Sequence, residues 1–264
     1  MHHSAALEAL ASGAHGRALA AAEQALAYDA LDPKHQDLIN RVKLDAIATS
    51  RRQLTIQDTD TLIYLAEFMV KREPELRHVY HAALGRLRLL VGDLAGAESA
   101  FPASVEASSD YWPAMQGKAL IFAAKKDYDA AVGLLERAVA GHPELWELKR
   151  DLGSMLNDAG RADEAIRVLE ALVKAKSSSG NHLMLAEALQ SAERTRMAGA
   201  EFERAVVLDS KSAPAHYAFA QWLRGQKQFD SARLHFEKVI ELGQTHLGVF
   251  GRGLVLLDQN ESAQ

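Results

Sequence analysis

The chain has 264 residues, 48% of them hydrophobic and only 6% aromatic, with a formal net charge of −5 from 30 basic and 35 acidic residues. The charges are mixed without a basic block, which argues against a nucleic-acid partner. No apolar run reaches the roughly eighteen residues that span a membrane. The absence of cysteine excludes disulfides and thiolate metal sites. Alanine supplies much of the apolar content and favours helix over strand, so we expect an all-α protein.

The beginning of the chain predicts two pairs of helices of unequal length. Residues 1–33 predict a short, degenerate pair around a turn at Gly13. Residues 34–77 are longer than one pair needs, which predicts longer helices or a longer loop. The helices expected in this irregular segment are 35–51 and 59–72, the second behind a cap at Asp58 or Thr59.

From residue 78 onward the apolar pattern repeats at spacings of 34, 34, 33 and 34 residues. The repeat is marked by small residues that open second helices, by large residues four positions later, and by small residues in first helices. The three sets are Ala97, Ala131, Ala165, Ala198 and Ala232; Phe101, Leu135, Leu169, Phe202 and Phe236; and Gly85, Ala119, Gly153, Ala186 and Ala220. A helix pair with such stripes buries them only when copies stack. We therefore predict five regular repeats over 78–246 and a terminal half-repeat over 247–264.

These columns resemble the tetratricopeptide repeat, a 34-residue helix–turn–helix unit. The residues that carry the resemblance are Leu152, Gly153, Leu156, Gly160, Ala165 and Leu169 in one copy, and Ala119, Phe122, Tyr128, Ala131, Leu135, Ala138 and Pro143 in the copy before it. The resemblance is strong over about residues 78–260 and weaker elsewhere. It implies an all-α, right-handed superhelical α-solenoid that forms a single domain over 1–264.

Two features depart from the pattern. Pro102 lies inside the helix predicted at 95–107, where an interior proline costs about 3 kcal/mol, so we expect a kink or an early end. Gly248, Gly251 and Gly253 crowd the last helix, but they have neither the spacing nor the preceding strand of a dinucleotide-binding loop. We therefore expect this terminal helix to be loosely packed.

No motif for catalysis or cofactor binding is present. The chain lacks a phosphate-binding loop, a G-x-S-x-G motif and an H-E-x-x-H motif. His78 and His81 lie three apart on one predicted helix, but no third ligand is suggested nearby. Carboxylates on outer helical positions are expected to be solvated: Glu106, Asp129, Glu136, Glu164 and Glu203. We predict no catalytic residue, no metal and no cofactor.

The resemblance also implies where a partner binds. In such arrays the first helices line a concave groove that holds a peptide or a helix. The family's groove-facing positions correspond to Arg86, Gln116, Arg150, Ser154, Asn157, Glu187, Gln190, Tyr217, Gln221 and Arg224. This polar lining suits an extended peptide, whose backbone needs donors and acceptors. It does not suit the chaperone-tail subtype, because Glu147 and Asp151 stand where that subtype needs bases for a carboxylate.

The leading hypothesis is a non-catalytic scaffold that binds a partner peptide or helix in the groove, with no nucleic-acid partner and no direct insertion into a membrane. One alternative is an arm of a larger multidomain enzyme or secretion and assembly machine, because the chain begins and ends within a repeat. Another is self-assembly through the end helices, whose apolar face at the C-terminal end consists of Leu247, Phe250, Leu254 and Leu257. The expected location is cytoplasmic, or periplasmic if a native leader was removed. The alanine-rich composition suggests a bacterial source.

Overall fold

The computed structural model describes residues 2–29, 32–49 and 59–262. All regular structure in these ranges is helical, so the predicted all-α class is confirmed. Packing divides the chain into two compact units, Met1–His142 and Pro143–Gln264, which we call unit 1 and unit 2. The predicted division into degenerate, irregular and regular repeats within a single domain stays a prediction.

Besides a short 3₁₀ helix at Pro74–Leu76, unit 1 contains eight described α-helices. They are α1 (His2–Ala11), α2 (His15–Tyr28), α3 (Pro33–Thr49), α4 (Thr59–Arg72), α5 (Arg77–Leu90), α6 (Leu94–Ala107), α7 (Trp112–Ala124) and α8 (Tyr128–Gly141). Helix α4 has the predicted bounds and begins at Thr59, whereas Asp58, the other predicted cap, lies outside the described residues. Helix α3 begins two residues before the predicted start, and the last two residues predicted for it also lie outside the described ranges.

The irregular segment is explained by the way α3 packs. Its first half buries Leu38 and Val42 in the core of α1 and α2. Its second half buries Leu44 and Ile47 in a different core, which it shares with α4 and α5. Because one helix has to serve two cores, α3 packs extensively on α2 and α5 and has little contact with α4.

Unit 2 consists of seven helices within residues 143–262. They are α9 (Trp146–Asp158), α10 (Ala162–Ala175), α11 (Ser179–Ser191), α12 (Thr195–Leu208), α13 (Ala213–Gly225), α14 (Phe229–Glu241) and α15 (Thr245–Ser262). Each helix packs on the next one along the chain. The unit is therefore a stack of helix pairs, as the apolar stripes predict.

The three columns of the repeat make the contacts that the sequence predicts. The alanines that open the second helices are all fully buried, and so is Phe101. A Cβ atom built on Gly85 would lie 2.7 Å from the Phe101 ring, so the small position of the first helix faces the large position of the second. The size alternation along the sequence therefore fixes how closely paired helices approach each other.

The turns inside the pairs share one left-handed residue at the repeat spacing. The residues and their φ angles are Gly92 (79°), Lys126 (62°), Gly160 (75°), Glu193 (57°) and Lys227 (59°). The next backbone N–H donates to a carbonyl five residues back, for example Arg161 to Leu156 at 2.8 Å. This geometry ends the first helix and satisfies one of its last carbonyls.

Of the two outcomes that Pro102 predicts in α6, the early end is wrong, and the kink stays a prediction. The helix continues through Pro102 to Ala107. Phe101 and Ser104 on either side are fully buried, and the Ser104 hydroxyl donates to the His78 carbonyl of α5 at 2.5 Å. Packing on both sides of the proline therefore outweighs the hydrogen bond that it removes.

The expectation of a loosely packed last helix is also wrong. A Cβ atom on Gly251 would lie 2.2 Å from the Phe236 ring, so α15 needs glycine there to approach α14. Val255 completes this contact and is 1% exposed. Neither α15 nor any other helix in the described ranges is long and apolar enough to cross a membrane.

Candidate functional site

The first helices of unit 2 form its inner row. Helices α9, α11, α13 and α15 contact one another in succession, whereas α10, α12 and α14 make no comparable contacts with one another within residues 143–262. Because one row is packed more closely than the other, unit 2 curves toward the first helices. We call the surface of α9, α11 and α13 on this side the inner face.

All of the predicted partner-binding residues except Arg86 and Gln116 lie on the first helices of unit 2. Helix α9 carries Arg150, Ser154 and Asn157; α11 carries Glu187 and Gln190; and α13 carries Tyr217, Gln221 and Arg224. The two side chains of α11 are exposed and the others are half-buried. Their role in binding a partner stays a prediction, but unit 2 brings them onto neighbouring helices.

Two carboxylates concentrate negative charge in the inner row. Burial raises the pKa of Glu187 on α11, and the charge of Asp158 at the end of α9 raises it further. Burial also raises the pKa of Asp158. Both side chains reach solvent, but the surrounding protein displaces enough water to disfavour their ionised forms. Neither carboxylate has an ion-pair or hydrogen-bond partner among the residues that the structure describes.

Asp158 was not among the residues predicted for this surface. It follows Asn157 on α9 and belongs to the break between two helices, where an acidic residue has no periodic signal. Its proximity to Glu187 depends on the packing of α9 against α11. To identify Asp158 from the sequence, one would need to know both where α9 ends and that α9 packs against α11.

Side chains of α13 are held in place by contacts within unit 2. Gln221 Nε2 donates to the Tyr217 hydroxyl at 3.0 Å, and the Tyr217 ring meets the Phe236 ring edge-on at 5.7 Å. Arg224 Nε lies 3.2 Å from an Asp258 carboxylate oxygen. The Arg224 Nη1 and Asn157 Oδ1 atoms are buried without a hydrogen-bonding partner among the described residues. Buried polar groups in native proteins are rarely left in this state, and because both atoms are closed off from solvent, a ligand would reach them only after these side chains turn.

At the start of the row, α9 presents positive charge on an aromatic ring. The Arg150 guanidinium lies 5.5 Å from the centre of the Trp146 ring, and Lys176 Nζ lies 3.3 Å from the same centre. Both distances are within the range of cation–π contacts. The Trp146 ring is thus contacted by Arg150 of α9 and by Lys176 from the end of α10, whereas the two carboxylates lie at the end of α9 and on α11.

The two predicted residues of unit 1 are engaged in internal contacts. Arg86 Nη1 donates to the carbonyls of Ile47 at 3.3 Å and Ala48 at 3.0 Å, in the last turn of α3. Its Nη2 donates to Gln116 Oε1 at 3.4 Å. Gln116 is only 3% exposed, and burial lowers the pKa of Arg86. These contacts connect α3, α5 and α7 and leave little of Gln116 for a partner.

Elsewhere the structure offers little for chemistry. Among residues 2–29, 32–49 and 59–262, no three His, Asp or Glu side chains are arranged to hold a metal ion. The His78 ring packs edge-on against Tyr111 at 4.8 Å. Of the carboxylates expected to be solvated, Glu164 is half-buried and pairs with Arg161 at 2.7 Å, and the others are exposed: Glu106, Asp129, Glu136 and Glu203.

Comparison with known proteins bears out the resemblance. The tetratricopeptide repeat profile matches residues 82–144 and 117–180. No curated protein matches the chain. Several solved structures share the fold. Their sequence identity to this chain is low, so the likeness establishes a common fold and not a common function.

One similar structure is a tetratricopeptide repeat protein from Parabacteroides merdae, with a TM-score of 0.61, 12% identity and coverage of 97% of both chains. YrrB, a tetratricopeptide repeat protein with an unusual peptide-binding site, has a TM-score of 0.54, 18% identity and coverage of 71% of this chain and 97% of its own. MamA from Desulfovibrio magneticus has a TM-score of 0.55, 20% identity and coverage of 64% of this chain and 96% of its own. The repeats within residues 82–180 thus belong to the tetratricopeptide repeat family, and nearly all of the chain shares the family's fold.

Proposed function

We propose that the protein is a non-catalytic scaffold that binds a partner peptide or helix along the inner face of unit 2. One observation carries the proposal: polar groups on three neighbouring first helices lack partners within the described part of the protein. They are Asn157 Oδ1, the Glu187 carboxylate and Arg224 Nη1. A peptide has donors that would satisfy the exposed Glu187 carboxylate directly, and donors and acceptors that would satisfy the other two atoms once their side chains turn toward the inner face.

The charges of the inner face indicate what the partner carries. The charge of Asp158 disfavours the ionised form of Glu187, so a lysine or arginine of the partner would relieve this repulsion. Arg150 on its aromatic platform favours a carbonyl or a carboxylate of the partner. Tyr217 adds an aromatic edge for selectivity. YrrB supports the proposal, because a protein of similar fold has a peptide-binding site.

A random peptide library displayed on phage tests this function. We expect the protein to enrich peptides that contain a basic residue, and we expect a variant with alanine at Arg150, Asn157, Tyr217 and Arg224 to lose them. The matched control replaces exposed residues of the second helices, Arg167, Glu203 and Arg204, with alanine and should retain binding. Circular dichroism checks that each variant is folded. Failure to enrich any peptide, or equal binding by the inner-face variant, would show that the proposal is wrong.

The two other hypotheses stay predictions. No contact within the described ranges speaks for or against an arm of a larger machine. Self-association is suggested by α15, where Phe250 is 61% exposed and Leu257 is 60% exposed. Light scattering at high concentration distinguishes it: a dimer that Phe250→Ser dissociates would support self-association, and a strict monomer would exclude it.

A further inference from the structure

Three repeats carry a histidine at the same position of their first helix, four residues before the small column. These residues are His81, His182 and His216. In the two later repeats, the Nδ1 atom of the histidine has a partner on the following helix. His182 Nδ1 lies 2.6 Å from Glu201 Oε2, and His216 Nδ1 lies 2.9 Å from His235 Nδ1.

The partner comes from one fixed position in both cases. Glu201 and His235 are each the third residue after the alanine that opens the second helix, Ala198 and Ala232. The repeat thus places a polar side chain where it meets the buried histidine. The histidine lies on the first helix and its partner on the second, so a repeat can contain one without the other.

The repeat of His81 lacks this partner. The third residue after Ala97 is Ala100, whose side chain cannot form a hydrogen bond. His81 Nδ1 is buried and has no hydrogen-bonding partner among the described residues. This repeat therefore has the histidine but no side chain at the partner position that could form a hydrogen bond with it.

A cleft takes the place of the missing side chain. It has a volume of about 310 Å³, lies between α4, α5 and α6, and is lined by Glu67, Lys71, His81, Arg88, Ser99 and Ala100, among others. The corresponding cleft between α12, α13 and α14 is lined by His235 but not by His216. The longer residue at the partner position covers the inner histidine there, whereas Ala100 opens the cleft to His81.

The charge around His81 favours an anion. Arg88 Nη2 lies 2.9 Å from Glu67 Oε1, which leaves the exposed Lys71 as a cation without an ion-pair partner among the described residues. Burial lowers the pKa of His81, and the positive charges of Arg77 and Arg88 lower it further. At neutral pH the imidazole is therefore neutral and can donate one N–H.

We propose that this cleft binds a carboxylate, which accepts a hydrogen bond from His81 and occupies the position that the Glu201 carboxylate has in the later repeat. Lys71 supplies the compensating charge. Because Nδ1 is closed off from solvent in the free protein, donation from this atom requires the imidazole to turn about its Cβ–Cγ bond. The site lies in unit 1 and does not depend on the inner face of unit 2.

Nuclear magnetic resonance of the histidine-labelled protein tests the site. The probes are acetate, N-acetyl-glutamate amide and its neutral isostere N-acetyl-glutamine amide. We expect both carboxylates to shift the ring signals of His81 saturably, and the neutral isostere to leave them unchanged. Tighter binding of the glutamate probe indicates an acidic peptide side chain as the natural ligand, whereas equal binding indicates a small carboxylate. If no carboxylate moves the His81 signals, or if the neutral isostere moves them equally, the proposal is overturned.

Substitutions in the same repeat provide the controls. Ala100→Glu supplies the internal partner, so it should abolish probe binding. Ala95→Glu adds the same charge to an exposed site of the same helix and should retain it. If Ala100→Glu does not fold, Lys71→Gln should weaken binding and His81→Phe should abolish it. Unchanged affinity in both of these variants would overturn the proposal.

Discussion

The two units place polar residues at the same repeat positions and use them differently. The residue directly after the small column of the first helix is Arg86 or Leu120 in unit 1, and Ser154, Glu187 or Gln221 in unit 2. Arg86 donates to the last carbonyls of α3, whereas Glu187 has no partner among the described residues. The difference follows from the neighbouring helix: α3 serves two cores and ends beside α5, where its carbonyls need donors. The side chain at this position has no described partner at Glu187, whereas beside the irregular segment, at Arg86, it is engaged within the protein.

The largest effect that follows from this comparison is on stability. Arg86→Ala removes the donors to Ile47 and Ala48, and we expect it to lower the free energy of unfolding by about 2–3 kcal/mol. Arg150→Ala, on the inner face of unit 2, should change it by less than about 0.5 kcal/mol. Urea unfolding followed by circular dichroism measures both variants. Equal losses would mean that the two units do not differ in this way.

The second-largest effect that we expect is a loss of stability of unit 1 at low pH. Burial lowers the pKa of both His78 and His81 below the ordinary value of 6.5. The unfolded chain takes up protons near pH 6.5 while the folded histidines are still neutral, so stability should fall as the pH drops through 6.5. The midpoint of thermal unfolding between pH 8 and pH 5 measures the effect.

A double variant separates the contribution of His78 and His81 to this pH dependence from that of the other histidines. The double substitution His78→Gln and His81→Gln should flatten the pH dependence, whereas replacement of the exposed His246 should not. His235 in unit 2 also has a pKa lowered by burial, and by His216, so some slope should persist in the double variant. If the unfolding midpoint of the double variant depends on pH as in the original protein, the effect does not come from His78 and His81 of unit 1.

Substitutions in the turns inside the helix pairs should have a smaller effect, and one of them should raise the stability instead of lowering it. Lys126, Glu193 and Lys227 adopt the left-handed conformation that Gly92 and Gly160 adopt at the same repeat position. Because a side chain is strained there, Lys126→Gly should raise the free energy of unfolding by about 1 kcal/mol. Gly160→Ala should lower it by a similar amount. Differential scanning calorimetry of both variants tests this, and a destabilised Lys126→Gly would show that its side chain makes a contact worth more than the strain.

The regular part of the fold could be predicted because its information is local. The alternation of Gly85 with Phe101, repeated at a constant spacing, is enough by itself to fix the pairing of helices. The capping of α3 by Arg86 could not be predicted, since it depends on which distant helix α3 packs against. Helix propensity alone was misleading at Pro102, because the burial of Phe101 and Ser104 decides the course of α6.

The candidate site was predictable only as a set of positions. The inner-row columns predicted Glu187 and Tyr217 without showing which of them had partners. The orphan Nδ1 of His81 became visible only through comparison with His182 and His216, which needs the positions of Glu201 and His235. Repeat patterns therefore predict where side chains lie, whereas the unfilled contacts among them depend on how the helices pack in three dimensions.

The smallest effect concerns the inner face itself. Glu187 has a raised pKa, so its ionised form opposes folding above the ordinary value of 4.5, and this penalty disappears below it. Glu187→Gln should therefore stabilise the protein at pH 7, by roughly a few tenths of a kcal/mol because the side chain reaches solvent, and have no such effect at pH 4. Urea unfolding at the two pH values measures it.

The same substitution connects stability with binding. If Glu187 is kept for a partner's lysine or arginine, Glu187→Gln should weaken binding of the basic peptides that the inner face selects, while it stabilises the free protein. Glu203→Gln, on an exposed site of α12, is the control and should do neither. A gain in stability without a loss of binding would mean that the carboxylate pair is an imperfection of packing. The two effects together would mean that unit 2 tolerates a repulsion which the partner relieves.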